Sequence, residues 1–273
     1  MNYLRLMKYP GAKTSIIPDI EDVFRRSGKR LFIDVFGGSG SVSLNMQYAT
    51  VVYNDLDPEL VNLFRAIQYD SDLLKDLLLE SLDIYDFKRG RKNPPASKIP
   101  RYEAIRKPSL SGNKFGKIPD VKAAAQTVLR FTMSFGGMGS TYGTNEKSSK
   151  GYLRKTISML PRIKEKVSLW TIENLDFRDL ISRYDSKGAF FYLDPPYSEK
   201  KWYSTNFRES DYGALIAQLR NIKGTYLMTV DAHDDLLEDI FGEPDYIKSY
   251  ENRNQNPNSG RKPPRMKAFY TNV

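Results

Sequence analysis

Residues 189–197 read Ala-Phe-Phe-Tyr-Leu-Asp-Pro-Pro-Tyr, an apolar run closed by an acid and two prolines. A run of this length predicts a buried β-strand over 189–193. Proline has no N–H and a fixed φ, so the two prolines end the strand and stiffen the loop behind it. Asp194 and Tyr197 are therefore expected at the carboxyl end of a strand, where ligands bind in open α/β sheets. Taken alone, the stretch is equally typical of a plain strand end with a buried tyrosine.

A glycine-rich loop follows another apolar strand, predicted at 30–35. The strand runs into Phe36-Gly37-Gly38-Ser39-Gly40, and a helix is predicted over 42–48. Glycines let the backbone turn tightly and approach a ligand closely. The next apolar run, 51–55, ends in Asp55, and an acid at that place commonly accepts hydrogen bonds from ribose hydroxyls. This order of elements predicts a nucleotide-binding site.

A nicotinamide dinucleotide is one alternative ligand for this loop. Its fingerprint is Gly-x-Gly-x-x-Gly, whereas Gly38-x-Gly40 is followed here by Ser43 in place of the third glycine. The loop departs from that fingerprint, and a simple αβ turn without a ligand is the other alternative.

Composition limits the classes of function. The chain has 273 residues, 40% hydrophobic and 27% charged, which is typical of a soluble globular protein of one α/β domain with an insertion or two small domains. A net charge of +9 favours a polyanionic partner, nucleic acid before membrane. The absence of cysteine excludes disulfides and thiol nucleophiles, and the single histidine, His233, argues against a histidine triad or metal cluster. With no apolar stretch of membrane-spanning length and no secretory signal, we expect a cytoplasmic protein.

The middle of the chain is the candidate region for contact with nucleic acid. Residues 88–117 are rich in Lys, Arg, Pro, Gly and Ser, and a glycine-rich loop with aromatic residues covers 134–143. Basic residues there can neutralise phosphates, although a charge run is equally often a solvated linker. Residues 86–160 are therefore the candidate region for contact with a polyanionic partner.

Elsewhere helices and strands alternate along the chain. Helices are predicted at 15–26, 58–84, 121–135, 178–184, 211–219 and 234–241, and strands at 167–172, 225–230, 246–250 and 267–273.

The tetrad Asp194-Pro195-Pro196-Tyr197 resembles the Asp-Pro-Pro-Tyr motif of amino-directed DNA methyltransferases. In that family the acid and the next backbone carbonyl accept hydrogen bonds from the amino group of a flipped base, and the tyrosine stacks on the base. An amino nitrogen conjugated to a ring is a poor nucleophile, and accepting its hydrogen bonds localises its lone pair for attack on a methyl group. The loop 36–40 is similar to the Phe-x-Gly-x-Gly loop of the same enzymes, which lies along the methionine part of S-adenosylmethionine.

The order of the motifs resembles the Dam-like, D12 class adenine N6 methyltransferases of the alpha group. The segment Tyr9-Pro10-Gly11-Ala12-Lys13 is similar to their N-terminal Gly-Gly-Lys element, which helps to hold the cofactor carboxylate. The pair Asp176-Phe177 matches an Asp-Phe pair that contacts the cofactor adenine, and Asp176 also suits a helix N-cap. The chain departs from the family at Ala12, where a glycine is usual, and at Lys267, where a glutamate is usual.

This resemblance implies a Rossmann-like fold with a mixed seven-stranded sheet, helices on both faces and a helical target-recognition insertion. It implies that residues 86–160 are the inserted target-recognition, DNA-binding region and that residues 1–85 and 161–273 form the catalytic domain. It implies S-adenosylmethionine as cofactor, double-stranded DNA as partner and no metal; we expect a monomer, and a cognate restriction endonuclease is left open. The implied catalytic residues are Asp194, Pro195, Pro196 and Tyr197. The implied cofactor-binding residues are Tyr9, Gly11, Lys13, Phe36, Gly37, Gly38, Ser39, Gly40, Asp55, Asp176 and Phe177. Cytosine N4 methylation and a catalytically inactive nucleic-acid-binding protein remain the alternatives.

Overall fold

The computed structural model of the protein describes residues 3–11, 13–87, 118–139, 146–196, 207–232, 235–251 and 264–273. The helices are α1 (Ile17–Arg26), α2 (Pro58–Phe87), α3 (Val121–Met133), α4 (Glu146–Val167), α5 (Phe177–Tyr184), α6 (Glu209–Arg220) and α7 (Asp235–Phe241). The strands are β1 (Leu31–Asp34), β2 (Thr50–Asn54), β3 (Thr171–Glu173), β4 (Ala189–Leu193), β5 (Thr225–Asp231), β6 (Tyr246–Tyr250) and β7 (Arg265–Thr271). Among the described residues, no helix combines the length and the apolar character that crossing a membrane requires.

The strands form one seven-stranded sheet with the order β3-β2-β1-β4-β5-β7-β6. Strand β1 is parallel to both β2 and β4, and β4 is parallel to β5. Strand β7 is antiparallel to both β5 and β6. The mixed sheet confirms the predicted fold class. Because parallel strands end at the same edge, the loops after β1, β2, β4 and β5 emerge together.

The chain divides into two compact units. The helical unit contains Met1–Ala12, Gly38–Asn45 and Asp57–Asn174, and the sheet unit contains Lys13–Gly37, Met46–Leu56 and Leu175–Val273.

In the helical unit, α2 packs against α3 and α4. The side chain of Asn62 pairs with the backbone of Asp120, donating to its carbonyl at 2.8 Å and accepting from its N–H at 2.9 Å. Gln68 donates to the carbonyl of Val167 at 2.8 Å, which ties the end of α4 to α2. The Asn62 oxygen thereby satisfies the N–H of Asp120, a group that the start of α3 leaves unpaired.

The two faces of the sheet unit bury different side chains. On one face Phe24 of α1 packs edge-on against Phe32 and Phe190, with ring centroids 5.3 and 5.2 Å apart. On the other face Ile33 and Phe191 belong to the core that α5, α6 and α7 cover. This alternation follows from the two-residue period of a strand, and each fully buried side chain of this size contributes about 1.5–3 kcal/mol relative to an exposed one.

The helix predicted over 42–48 is wrong, because only a 3₁₀ turn forms there, at Ser43–Asn45. The amide of Asn45 binds backbone instead, accepting from the N–H of Leu4 at 2.8 Å and donating to the carbonyl of Ser41 at 2.8 Å. Asparagine side chains compete in this way with helical hydrogen bonding. Tyr48 then has a φ of 56°, which ends any helix.

The strand predicted over 167–172 is shorter than expected and is preceded by an unpredicted helix. Val167 ends α4, and β3 contains only Thr171–Glu173. Gly151 and Pro161 lie inside α4 and are unfavourable in helices, but propensity is a weak guide that tertiary packing overrides. The missed signal was helical spacing of apolar side chains, which are buried in the structure: Leu153, Ile157, Leu160 and Ile163.

The other predicted elements agree with the structure to within a few residues. The predicted strands at 189–193 and 246–250 have the observed bounds. The helix predicted from 58 to 84 extends to Phe87 and is kinked at Asp70, whose side chain accepts from the N–H of Leu73 at 2.9 Å.

Candidate active site

In the sheet unit, acidic and aromatic residues gather at the carboxyl edge of the parallel strands. Phe36 lies two residues after β1, Asp55 follows β2 directly, Asp194 follows β4, and Asp231 ends β5. Sequence analysis predicted three of these four positions, and Asp231 was not noted. The edge is where α/β sheets bind ligands, so these residues define the candidate site.

Asp194 forms an ion pair with Lys13. The Lys13 Nζ lies 2.6 Å from the Asp194 Oδ2, and the two side chains are only 7% and 15% exposed. Lys13 lies shortly before α1, the helix that covers the Phe32 face of the sheet. A shielded carboxylate needs such a partner, because burying an unpaired charge is costly. The pair orients the carboxylate of Asp194.

Lys267 forms a second ion pair in the same unit. It is the register partner of Asp231 across β5 and β7, and its Nζ lies 2.5 Å from the Asp231 Oδ1. Burial lowers the pKa of Lys267 to about 8; the positive charge of Lys13 acts in the same direction, and the carboxylates of Asp194 and Asp231 oppose it. Two lysines and two aspartates therefore interact electrostatically here. In the sequence, Lys267 was noted only as a departure from a usual glutamate.

The prolines after Asp194 are held by a tyrosine from α6. Pro195 is buried, and the hydroxyl of Tyr212 donates to the carbonyl of Pro196. Tyr197, to which a stacking role was assigned, lies outside the described residues. The predictions for Ala12, 88–117, 140–143, 198–206, His233 and 252–263 also fall outside the part of the chain that the structure describes.

An aromatic cluster lies beside the loop after β1. The rings of Phe36 and Phe177 are 6.0 Å apart between centroids, and Phe207 lies 5.4 Å from Phe36 and 5.2 Å from Phe177. Phe207 was seen in the sequence only as the end of a polar, aromatic loop. Phe177 is buried in the core, whereas Phe36 and Phe207 are only partly buried and provide the apolar surface of this cluster.

Asp176 caps α5 as the sequence predicted. Its Oδ1 accepts from the N–H of Arg178 at 2.9 Å, and the guanidinium of Arg178 lies 3.2 Å from the same carboxylate. The Arg178 guanidinium also lies 4.4 Å above the ring of Phe177. The cap fixes the backbone of Asp176 and Phe177 at the start of α5.

Asn54 holds two segments of this site together, and sequence analysis did not single it out. Its amide donates to the carbonyls of Val35 and Leu175, at 2.9 and 3.1 Å, and accepts from the N–H of Leu175 at 2.9 Å. The end of β1 and the segment before Asp176 are thereby joined through the last residue of β2. The sequence signal that could have identified it is an asparagine directly before the acid that ends the predicted strand.

Gly37 must be a glycine for the loop to approach β2. Its N–H donates to the carbonyl of Asn54 at 2.7 Å. A Cβ at this position would lie 2.2 Å from the ring of Tyr53 and 2.9 Å from the Asn54 carbonyl. A side chain would therefore displace the loop from the strand.

The remaining predicted residues belong to the helical unit. Gly40 has a φ of 66°, and a Cβ there would lie 2.5 Å from the ring of Phe64. A Cβ on Gly38 would lie 3.3 Å from the ring of Tyr9, which itself packs against Phe131 at 5.0 Å between centroids. Within this unit the structure thus brings Tyr9 to the glycine loop. Gly11 and Ser39 are described in the same unit.

The site residues of the sheet unit can act as hydrogen-bond acceptors at fixed positions. Asp194 is oriented by Lys13, and the next residues are prolines whose backbone can only accept hydrogen bonds. Such an arrangement can accept both N–H groups of an amino group at fixed positions.

Comparison with known proteins agrees with this geometry. A family model described as D12 class N6 adenine-specific DNA methyltransferase matches residues 9–255. The chain is also similar to the Type II methyltransferase M1.LlaDCHI of Lactococcus lactis subsp. cremoris, with 22% identity over 258 residues, which cover 88% of this chain and 85% of that protein. The family match covers six of the seven strands, the Asp194 segment and the cluster of Phe36, Phe177 and Phe207, and it shows that the chain belongs to the D12 class N6 adenine-specific DNA methyltransferase family.

Proposed function

We propose that the protein transfers the methyl group of S-adenosylmethionine to the exocyclic amino group of an adenine flipped out of double-stranded DNA. The observation that carries this proposal is the orientation of Asp194 by Lys13 at the carboxyl end of β4, directly before two prolines. The family is adenine-specific, which favours adenine over cytosine as the base.

The acceptors act on the amino nitrogen. The carboxylate of Asp194 and the carbonyl of Pro195 accept the two N–H groups, which localises the nitrogen lone pair for attack. Holding the nitrogen in line with the methyl group removes much of the entropic barrier. Tyr197 stacks on the base. The nitrogen would gain the methyl carbon as the carbon–sulfur bond of the sulfonium breaks, which leaves a neutral thioether, and it would then release one proton to water. Neither a metal nor a covalent enzyme intermediate is needed.

The residues present fit the proposed cofactor. S-adenosylmethionine supplies, when bound, an electrophilic methyl group on a sulfonium. The partly buried rings of Phe36 and Phe207, which pack on the buried Phe177, offer aromatic surface for its adenine. Asp55 and Asp176 offer acceptors for ribose hydroxyls and the adenine amino group. We assign to the cofactor also Tyr9, Gly11, Gly37, Gly38, Ser39 and Gly40.

Lys13 is also assigned to the cofactor site, where it would bind the cofactor carboxylate. Its ammonium is paired with Asp194, but a lysine has three N–H donors. It can therefore keep the pair while another N–H donates to the cofactor carboxylate.

The same proposal extends to domains and partners. Residues 86–160 are the target-recognition region, and residues 1–85 and 161–273 are the catalytic domain. The similar Lactococcus protein is by name a Type II methyltransferase, so a cognate restriction endonuclease is the partner we propose beyond DNA. We propose that the protein acts as a monomer in the cytoplasm.

Transfer of a labelled methyl group from S-adenosylmethionine to unmethylated DNA tests the proposal, with mass analysis of the nucleosides. N6-methyladenine is the expected product. N4-methylcytosine would keep the mechanism and change the base. Retained cofactor binding without any methylated nucleoside would refute the proposed reaction on DNA.

A further inference from the structure

Tyr212 contacts the segment Asp194–Pro196, and the mechanism proposed above assigns no role to this contact. It lies in the first turn of α6, its side chain is fully buried, and its hydroxyl donates to the carbonyl of Pro196. A buried tyrosine hydroxyl needs a partner, and here the partner belongs to the proposed catalytic tetrad.

The chemistry of proline makes this contact unusually effective. Neither Pro195 nor Pro196 has an N–H, so the backbone of these two residues can be held only through its carbonyls. The peptide between them is planar, and the ring locks the φ of Pro196. Only the ψ of Pro196 therefore separates the carbonyl that Tyr212 binds from the Pro195 carbonyl.

The ring of Tyr212 is itself fixed by neighbours in the sheet unit. It packs edge-on against Phe207, with centroids 5.2 Å apart, and against Phe241 at 6.5 Å. The preceding residue, Asp211, pairs with Arg178 at 2.5 Å, and Arg178 also contacts the Asp176 carboxylate. These contacts fix the position of the Tyr212 hydroxyl, and they include Asp176, which is assigned to the cofactor.

We infer that Tyr212 is a positioning residue for methyl transfer, whose hydroxyl fixes the Pro196 carbonyl and thereby places the Pro195 carbonyl against the target amino group. The inference rests on the proposed function, since it assigns the Pro195 carbonyl as an acceptor. Lys13 holds the same segment through Asp194 from the α1 side, so both Asp194 and Pro196 are restrained.

The substitution Y212F removes the hydroxyl and keeps the ring. A misplacement of about 1 Å at a reacting group can lower a rate by about a hundredfold, so we expect kcat to fall by roughly tenfold to a hundredfold. The Kd of S-adenosylmethionine should not change, because the ring contacts with Phe207 remain. A wild-type kcat in folded Y212F would overturn the inference.

A matched control is Y270F. Tyr270 is also buried, and its hydroxyl donates to a backbone carbonyl, that of Gly242, at 3.0 Å. The two variants lose the same kind of bond, so a merely structural Tyr212 would give the same change in Tm and in kcat as Y270F. We expect similar losses of Tm and a loss of kcat in Y212F alone.

Crystal structures of the wild type and of Y212F without DNA provide a readout that does not depend on catalysis. We expect the Pro195–Pro196 carbonyls to shift or to lose order in Y212F, and unchanged positions would overturn the inference. If Y212F does not fold, P196A tests the same restraint by freeing φ while Tyr212 stays, and a wild-type kcat there would contradict it. A wild-type protein that methylates no DNA would refute the proposed function but leave this structural test in force.

Discussion

The ammonium of Lys13 lies 2.6 Å from a carboxylate oxygen of Asp194 and joins the segment before α1 to the end of β4. Both side chains are shielded from water, so the bond is stronger than a surface pair. Asp194 is thereby oriented before any substrate binds. Preorganisation of this kind is a principal source of catalytic rate enhancement.

A double-mutant cycle measures this pair. We expect K13M and D194N together to cost less unfolding free energy than the sum of the single variants, with a coupling of about 0.5–3 kcal/mol in urea titrations. The exposed pair of Arg25 and Asp22, whose side chains are 78% and 49% exposed, is the control, and its coupling should stay below about 1 kcal/mol. Additive costs at Lys13 and Asp194 would show that the pair contributes nothing.

Lys267 should make stability depend on alkaline pH. Its pKa is about 8 in the folded chain, where burial is the main cause, against 10.5 for an ordinary lysine. Between these values the unfolded chain binds more protons, so the free energy of unfolding should rise with pH in this window. The expected rise relative to K267M is on the order of 1.4 kcal/mol for each unit of pKa difference. Urea titrations from pH 7 to 10.5 measure it.

The control for Lys267 lies on the neighbouring strand of the same hairpin. Lys248 of β6 pairs with Asp19 but is half exposed, so K248M should keep the pH dependence of the wild type. Parallel stability curves of the wild type and K267M would contradict the lowered pKa of Lys267.

The strands that end at the site were predictable because each is marked by a local sequence pattern. The strand at 189–193 is an apolar run closed by breakers, and the position of Asp194 at its end follows from that pattern alone. The position of Asp55 at the end of β2 was predicted by the same argument. The order of these strands along the chain, with the glycine loop after the first, indicated a nucleotide-binding arrangement, whereas the mixed seven-stranded sheet was implied by the family resemblance.

The contacts that hold the site were not predictable, because their partners are far apart in the sequence. No local pattern pairs Lys13 with Asp194 or Tyr212 with Pro196; these bonds depend on the way β4, α1 and α6 assemble. The helix predicted over 42–48 failed for a related reason, since the side chain of Asn45 binds the distant backbone of Leu4.

Asp55 should contribute to cofactor binding. We expect D55A to raise the Kd of S-adenosylmethionine measured by calorimetry, since a hydrogen bond to a charged group contributes about 1.5–3 kcal/mol. D57A is the control, because the Asp57 carboxylate accepts from the N–H of Glu59 at 2.9 Å in the first turn of α2. An unchanged Kd in D55A would remove Asp55 from the cofactor site.

The most direct test of the central claim measures methyl transfer and cofactor binding in one preparation of D194A. We predict that the single-turnover rate on unmethylated DNA falls by at least about 10²–10³-fold, because the main acceptor for the amino group is lost. The Kd of S-adenosylmethionine should stay near that of the wild type. Turnover of D194A at the wild-type rate would contradict the assignment of Asp194, and with it the proposed mechanism.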